Sequence, residues 1–461
     1  ASMMLIPEGV VPSNEGLGYV LRRLIRRAAR YGRLHGVKGA FVHKLVPAAL
    51  SIYKGVYDEP AAHRKEIEET IRAEEERFLE TLETGERLLA GLLERHSTTI
   101  PGDEAFKLYD TYGFPLELTR EIAAQKNVHV DDSGFETARL AAQRTARAGW
   151  KGSGETVTSG YQALAEHLPR TRFVGYESLA AHANVLAILN EEGHSVSEIS
   201  GNKLKVEVVL DQTPFYAEGG GQVGDRGVLV DPKGKARLEV ADTQSPIPGL
   251  NVHKALLEGR IAVGMALEAE VDARHRLPTG AHHTATHLLN EALRRILGLQ
   301  VRQAGSLVDP NHLRFDFTTP HAPSPEEIRK AEAMVNSAIA EDLVVSPEVK
   351  SMEEARGFGA VSLLGEKYSD RPRCVLISPK GWEQGGFDPH ARFSLELCGG
   401  THVSRTGQIR LFRVLKETAV AAGTRRIEAV AGPAAVDYFR ELEETARPLA
   451  SKLGVAPEKL E

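Results

Sequence analysis

Cysteine is almost missing from this sequence. Only Cys374 and Cys398 occur among 461 residues, which excludes the disulfide framework that small secreted domains rely on and fits a reducing compartment. Long apolar runs are missing too: although 42% of the residues are apolar, no stretch approaches the ~18 uninterrupted apolar residues of a membrane span. A soluble, cytoplasmic protein without a membrane partner is expected. The chain also lacks net positive charge, at -6 with a pI near 6.3, so it does not coat nucleic acid by bulk charge and any nucleic-acid surface must be local. Its start has none of the basic, apolar and cleavage-site order of a secretory signal. Ala1 to Met3 read as a non-native addition, and the loop from Pro7 to Pro12 follows no element that it could cap. A fragment of a longer protein is expected.

What is there fills about three domains at ~150 residues each. From Gly18 to about His96 the pattern is helical, with Leu21, Leu24, Ile25, Ala28 and Ala29 forming an apolar stripe. The other side of that first helix is basic: Arg22, Arg23, Arg26, Arg27, Arg30 and Arg33 share a segment without an acid. Like-charge repulsion disfavours such a helix unless a polyanion neutralises it, and the alternative is a solvated bundle face. A second long helix is predicted over about Ala61 to Arg95, with Ile67, Ile71, Phe78, Leu82, Leu89 and Leu93 inward. Gly113 and Pro115 stop a third helix, and Leu116 to Lys126 begins another. Beyond the small, flexible run Lys151–Gly154 the periodicity turns to short strands such as Leu204 to Leu210, Gly227 to Val230 and Leu267 to Val271. A helix is then expected over Ala281 to Leu297, opened at Pro278 and ended by Gly298, followed by alternating strands and helices to about Gly432. The last stretch, from Ala434, reads as a charged helix that runs out without a cap.

The sharpest chemical signal is His282-His283-Thr284-Ala285-Thr286-His287. His283 and His287 are four apart on one helix face and can share a metal, whereas His282 points elsewhere. Cys398-Gly399-Gly400-Thr401-His402 supplies a thiolate and a third imidazole, again four apart, beside glycines that allow close backbone approach. Together His283, His287, Cys398 and His402 make a zinc set; three ligands plus water give a reactive site and four a closed structural one. A zincin-type protease is excluded because Thr284 stands where HExxH needs its glutamate. Thr284 and Thr286 flank the metal face, and either hold a polar substrate group or bond their own helix backbone. The glycine-rich turn Glu218 to Asp225, by itself, reads as a hairpin connection.

Five blocks in chain order carry a family resemblance: Pro12 to Arg23, Phe106 to Pro115, Thr213 to Gln222, the HTATH run and the CGGTH run. In this combination the chain resembles the alanyl-tRNA synthetases. The resemblance implies an α+β multidomain fold: a helical tRNA-recognition domain (1–155), a small β-barrel (156–276), an α+β zinc-binding editing domain built on an antiparallel sheet (277–432) and the start of a linker helix (433–461). It implies that Asn14 and Asp110 recognise a G·U wobble pair in the acceptor stem of tRNA(Ala), chemistry that an amide or carboxylate oxygen can perform on guanine's minor-groove amino group. Read alone, Asn14 is a helix N-cap and Asp110 a turn residue. It further implies Zn2+ on the four ligands named above, an editing role for Gln303 orienting the ester or a water, and a loop of Gly220, Gly221 and Gln222 beside the pocket.

The ATP-using class II core of the family lies upstream, so ATP and Mg2+ belong to the full-length enzyme and aminoacylation by this chain alone is not expected. Gly16-Leu17-Gly18 with Arg22, and Phe412-Arg413 with Glu417, only superficially resemble its arginine motifs. The expected activity is hydrolysis of mischarged seryl- or glycyl-tRNA(Ala). The alternatives are a tRNA-docking scaffold with a structural zinc, or a stand-alone deacylase, which would have no use for the basic helix. Threonyl-tRNA synthetase shares a similar metal pattern, but not the N-terminal blocks. Nothing in the sequence fixes the oligomeric state.

Overall fold

The computed structural model describes residues 1–461 except 9, 11, 13–15, 111, 113, 150–158, 299, 320, 363–367, 383–387, 389–390, 422 and 457–461; side chains of 16, 80, 81, 142–149 and 159 are also left aside. The architecture is mixed α/β and multidomain, as expected. Two compact units form: Ala1–Gly152 with Thr318–Ala322 and Ala421–Gly423, and Ser153–Phe317 with Pro323–Val420 and Thr424–Glu461. Among the described residues no helix is long and apolar enough to cross a membrane.

The first unit is helical, and its only sheet among the described residues pairs Thr99–Ile100 with His129–Val130. Its helices include Gly16–Leu34, Arg64–Arg95, Gly102–Asp110 and Leu116–Gln125. Leu21 and Ile25 pack with Ile67 and Ile71, while Phe78, Leu82 and Leu89 pack with Phe114. Each such side chain contributes roughly 1.5–3 kcal/mol by leaving water. Here the expected basic face is corrected. The buried face of Gly16–Leu34 carries Leu21, Ile25 and Ala29, but also Arg22, Arg26 and Arg30, whereas Leu24 and Ala28 are exposed. The acids missing from this helix come from its neighbours. Glu74 lies 2.6 Å from Arg26 Nε and 3.3 Å from Arg22 Nε, and Glu121 pairs with Arg30. Arg23 and Arg27 face solvent, and Arg33 is half-buried.

The second unit opens with a closed antiparallel barrel. Its strands run in the order Ala266–Val271, Gly227–Val230, Ala236–Ile247, Leu250–Ala262, Glu198–Leu210 and Ala180–Leu189, and the last pairs back with the first. Alternation along Ala266–Val271 sends Leu267, Ala269 and Val271 inward against Leu229, Leu238, Val208 and Leu257. The chain leaves the barrel directly into a long helix, Ala273–Leu297, whose N-cap Asp272 accepts from the Arg274 amide. The start expected at Pro278 is therefore corrected: the helix begins earlier and Pro278 lies inside it. So near the N-terminus the proline forfeits a single backbone bond. Arg276 fastens the helix to the barrel by bonding Asp225 at 2.9 and 3.0 Å and donating to the Gly175 and Pro214 carbonyls at 2.7 Å.

Ala285, Leu288, Leu289, Ala292 and Leu293 of this helix join Phe315, Phe317, Val335 and Ile377 in one core. Two sheets contribute, with strand orders Arg302–Val308, Leu313–Thr318, Thr424–Ala431, Phe412–Ala421 and Val344–Val349, Arg373–Ser378, Ser394–Leu397. The three-stranded sheet is antiparallel. The final helix spans Pro433–Leu453 and is capped, contrary to expectation: Gly454 takes a left-handed conformation at φ 65°, and its amide bonds back to Ala450 and Ser451.

Candidate metal centre

One helix and one loop build the centre. On Ala273–Leu297, His283 and His287 project from successive turns with their rings stacked at 5.2 Å. Strand Ser394–Leu397 runs into Cys398, and the two glycines turn the chain so that His402 returns to the same helix, 4.5 Å from His283 and 5.0 Å from His287 between ring centroids. The loop can approach because residue 400 has no side chain. A Cβ on Gly400 would stand 2.1 Å from the His283 ring. Arg373 holds the loop from behind, donating to the Cys398 and Gly400 carbonyls at 3.0 and 2.9 Å.

The ligand atoms of His283, His287, Cys398 and His402 all lie within 4.8 Å of one another, and Cys398 Sγ is 3.4 Å from His283 Nε2. Zinc bonds of ~2.0–2.3 Å imply tetrahedron edges of roughly 3.5 Å. Hydrogen bonds fix which nitrogen each ring offers. Gln222 Oε1 already accepts from the Thr401 amide at 2.9 Å, so it accepts from His283 Nδ1 at 2.7 Å as well. Glu396 accepts from His287 Nδ1 at 2.8 Å. Thr284 gives its one proton to the Gly280 carbonyl at 2.9 Å and so accepts from His402 Nδ1 at 3.2 Å. Every Nδ1 is thus a donor, and every Nε2 turns a lone pair to the centre. The Nε2 atoms of His287 and His402 are buried without a hydrogen-bond partner, an arrangement that costs free energy unless a cation occupies their focus.

The electrostatics agree with a divalent ion. Burial opposes ionisation of Cys398, but the surrounding imidazoles of His283, His287 and His402 outweigh it and draw the thiol well below its ordinary range. Burial pushes His402 down to about 3. Burial also opposes charge on His287, yet Glu396 and Cys398 raise it to about 10. Thiolate and carboxylate together balance the two positive charges of such an ion.

Other predicted residues fall into three places. Gln222 is fully buried and ties His283 to Thr401, which its amide also reaches at 2.9 Å. Gly220 and Gly221 have φ of 58° and 84° at the centre of a tight turn whose ends, Gly219 and Gln222, bond each other. Gln303 donates to Ser306 Oγ at 3.1 Å, and Ser306 donates to the Gly220 carbonyl at 3.3 Å, so Gln303 joins the glycine turn. Thr286 bonds the His282 carbonyl of its own helix at 2.9 Å. His282 is fully buried, with Nδ1 on the Pro278 carbonyl and Nε2 accepting from the Ala431 amide; burial lowers it to about 4. It is a satisfied core histidine.

In the helical unit, Asp110 ends Gly102–Asp110 with an exposed side chain, and Asn14 lies outside the described residues. The arginine-motif lookalike serves the fold: Arg413 pairs with Glu332 at 2.7 Å, and Glu417 pairs with Arg425. Sequence reasoning missed Glu396, Asn290 and Arg373. Asn290 donates to Glu396 at 3.0 Å from one turn beyond His287. Glu396 had a signal: an acid between two leucines in the buried strand Ser394–Leu397, two residues before Cys398 and hence on its side. Arg373 had none.

Comparison with known proteins matches two family models to the chain. A family model described as tRNA synthetases class II (A) matches residues 1–275, and one described as the second additional domain of threonyl and alanyl tRNA synthetases matches 383–428. The chain is similar to the alanine–tRNA ligases of Elusimicrobium minutum (42% identical over 464 residues), Thermus thermophilus (45% over 467) and Gluconobacter oxydans (43% over 460). The alignments take in 99–100% of this chain and 51–52% of those proteins, so the chain spans about half the length of the curated relatives it matches.

Proposed function

The chain belongs to the alanyl-tRNA synthetase family, and from that premise we propose that it recognises the acceptor stem of tRNA(Ala) and hydrolyses serine or glycine wrongly esterified to the RNA's 3′ end. The observation that carries this reading is the convergence of three Nε2 lone pairs and one thiolate on a single point, with every Nδ1 locked by a buried acceptor. Zinc held there would polarise the ester carbonyl or a water and so supply the electrophile or nucleophile for hydrolysis.

The protein's own residues do the rest. Gln222 and Glu396 keep His283 and His287 in the tautomer that offers Nε2. Gln303 donates one amide hydrogen to Ser306 and keeps a carbonyl oxygen with which to orient a water or the amino group of the misplaced residue. Asn14 and Asp110 would read the wobble pair, and Arg23 and Arg27, the solvent-facing cations of the first helix, would meet phosphates. Adenylate formation is not assigned to this chain, because the helical unit offers, among the described residues, only a two-residue strand pair on which to seat ATP.

Cys398→Ala tests the reading: deacylation of seryl-tRNA(Ala) should fall while RNA affinity stays. A second reading has a specific observation behind it. All four protein atoms converge, and four filled positions are the signature of a structural zinc. Unchanged deacylation by a folded Cys398→Ala protein would select that docking scaffold instead.

A further inference from the structure

Two tyrosines from the barrel side of the second unit reach the loops that carry the metal centre. Arg172–Phe173 pairs with Gln212–Thr213, and the turn that follows is pinned twice: the Val174 amide donates to the Thr213 carbonyl at 2.9 Å, and Arg276 donates to the Gly175 carbonyl at 2.7 Å. Glycine at 175 makes the turn possible, because a Cβ there would stand 2.1 Å from the Pro214 carbonyl and 2.6 Å from the Phe173 ring. The pinned turn delivers Tyr176, whose ring stands edge-on to Phe173 at 4.8 Å and whose hydroxyl donates to the Gly399 carbonyl. Phe173 also meets Tyr216 at 6.0 Å. The Tyr216 hydroxyl donates to the Gly219 carbonyl at 3.0 Å, and Gly219 closes the glycine turn against Gln222.

Both hydroxyls act on a metal ligand through one further step. The Arg373 guanidinium lies 4.1 Å over the Tyr176 ring, and Arg373 takes the carbonyls on either side of Gly399. Two stacked side chains thus hold three successive carbonyls, Cys398 to Gly400. With these fixed, the loop aims the Gly400 amide at Cys398 Sγ, 3.4 Å away, and a donor on the sulfur favours the thiolate. The glycine turn in the same way carries Gln222 to His283. Burial raises both phenols above their ordinary range, so each keeps the proton that it donates.

We propose that Tyr176 and Tyr216, braced on Phe173, are positioning residues that set the geometry of the metal centre from the barrel, Tyr176 through the Cys398 loop and Tyr216 through Gln222. The proposal rests on the metal half of the reading above and is independent of hydrolysis. A hydroxyl that served the barrel alone would bond within it, as Tyr161 does to Glu207 at 2.7 Å. Here two hydroxyls from one aromatic cluster go instead to the two loops that orient His283 and Cys398. Groups that orient metal ligands without touching the ion are worth about 10–100-fold in affinity.

The test is metal binding by the whole chain, stripped and reloaded, in the parent and in Tyr176→Phe, Tyr216→Phe and Tyr161→Phe. Each substitution removes one hydroxyl and keeps the ring, and the third is the control that leaves both loops alone. Zinc affinity, read by competition with a chromogenic chelator, should fall about tenfold in Tyr176→Phe and in Tyr216→Phe, and should not change in Tyr161→Phe. With Co2+ in place of zinc, the visible absorption bands report coordination geometry; they should shift in the first two variants and stay in place in the third. A hydroxyl with a merely structural role would lower the melting temperature and leave affinity and bands unmoved, which overturns the proposal. Equal loss of affinity in all three variants would make it a general effect of the barrel and overturns it as well. A parent chain that takes up no metal would bring down the metal reading together with the proposal, whereas a parent that binds zinc no better than its Tyr176→Phe and Tyr216→Phe variants overturns the proposal alone.

Discussion

Two regions look equally functional in the sequence, the arginine-rich helix Gly16–Leu34 and the histidine-cysteine constellation, and folding treats them in opposite ways. In the first, Arg22, Arg26 and Arg30 turn inward to carboxylates from neighbouring helices, so half of the six-arginine charge becomes internal structure. In the second, the Nε2 atoms of His287 and His402 are buried as well, but they are left open to a common focus. What marks a site is therefore the polar capacity still unused after folding, not the density of polar residues along the chain.

The contrast can be broken first where charge is closed. Glu74→Ala strands Arg22 and Arg26 without their acid, and losing one partner of a buried pair costs about 3–5 kcal/mol. Urea unfolding should show that loss in the helical unit, with metal content unchanged. At the open centre, His402→Ala removes a ligand. Zinc affinity should fall by roughly 100-fold or more in competition with a chromogenic chelator, since each of four ligands carries a share of ~10–16 kcal/mol.

Acidification sharpens the contrast within the second unit. Burial depresses both His253 and His282 from 6.5 to about 4, so the unfolded chain binds their protons first. Stability is full above about pH 6.5 and is lost as pH falls toward 4, by about 3 kcal/mol per histidine at most; thermal unfolding across that window reads it. His282→Asn should shrink the slope. Second in line at the centre, Gln222→Ala and Glu396→Gln should each weaken zinc binding about 10–100-fold while the fold persists. The smallest effect belongs to Arg23→Ala and Arg27→Ala, which should leave stability within about 0.5 kcal/mol and lower the salt slope of RNA binding by about 1 each.

Much of this was legible in the sequence, for identifiable reasons. The switch from helical to alternating periodicity announced the strands, because strand alternation survives translation into Leu267, Ala269 and Val271 facing inward, while a barrel was implied by the family resemblance alone. Two four-residue spacings announced the ligands, because HxxxH on a helix leaves little choice of geometry. The arginine helix misled for a tertiary reason: its acids, Glu74 and Glu121, lie about 50 and 90 residues away in the chain, outside any local window. Gln222 was noticed through its glycine neighbours, yet its bond to His283 crosses from the barrel to the helix, and no pattern within either segment encodes that meeting. Pro278 hid the true start of the helix, because a proline is a boundary signal that three-dimensional packing can override.

The central claim is that the open centre hydrolyses a mischarged RNA. The most direct measurement is the release of serine from seryl-tRNA(Ala), against release of alanine from alanyl-tRNA(Ala), by one preparation before zinc is stripped, after stripping, and after zinc is restored. Selective serine release that disappears and returns with the metal is the predicted result; a zinc-loaded chain that binds the RNA and releases neither amino acid would contradict it.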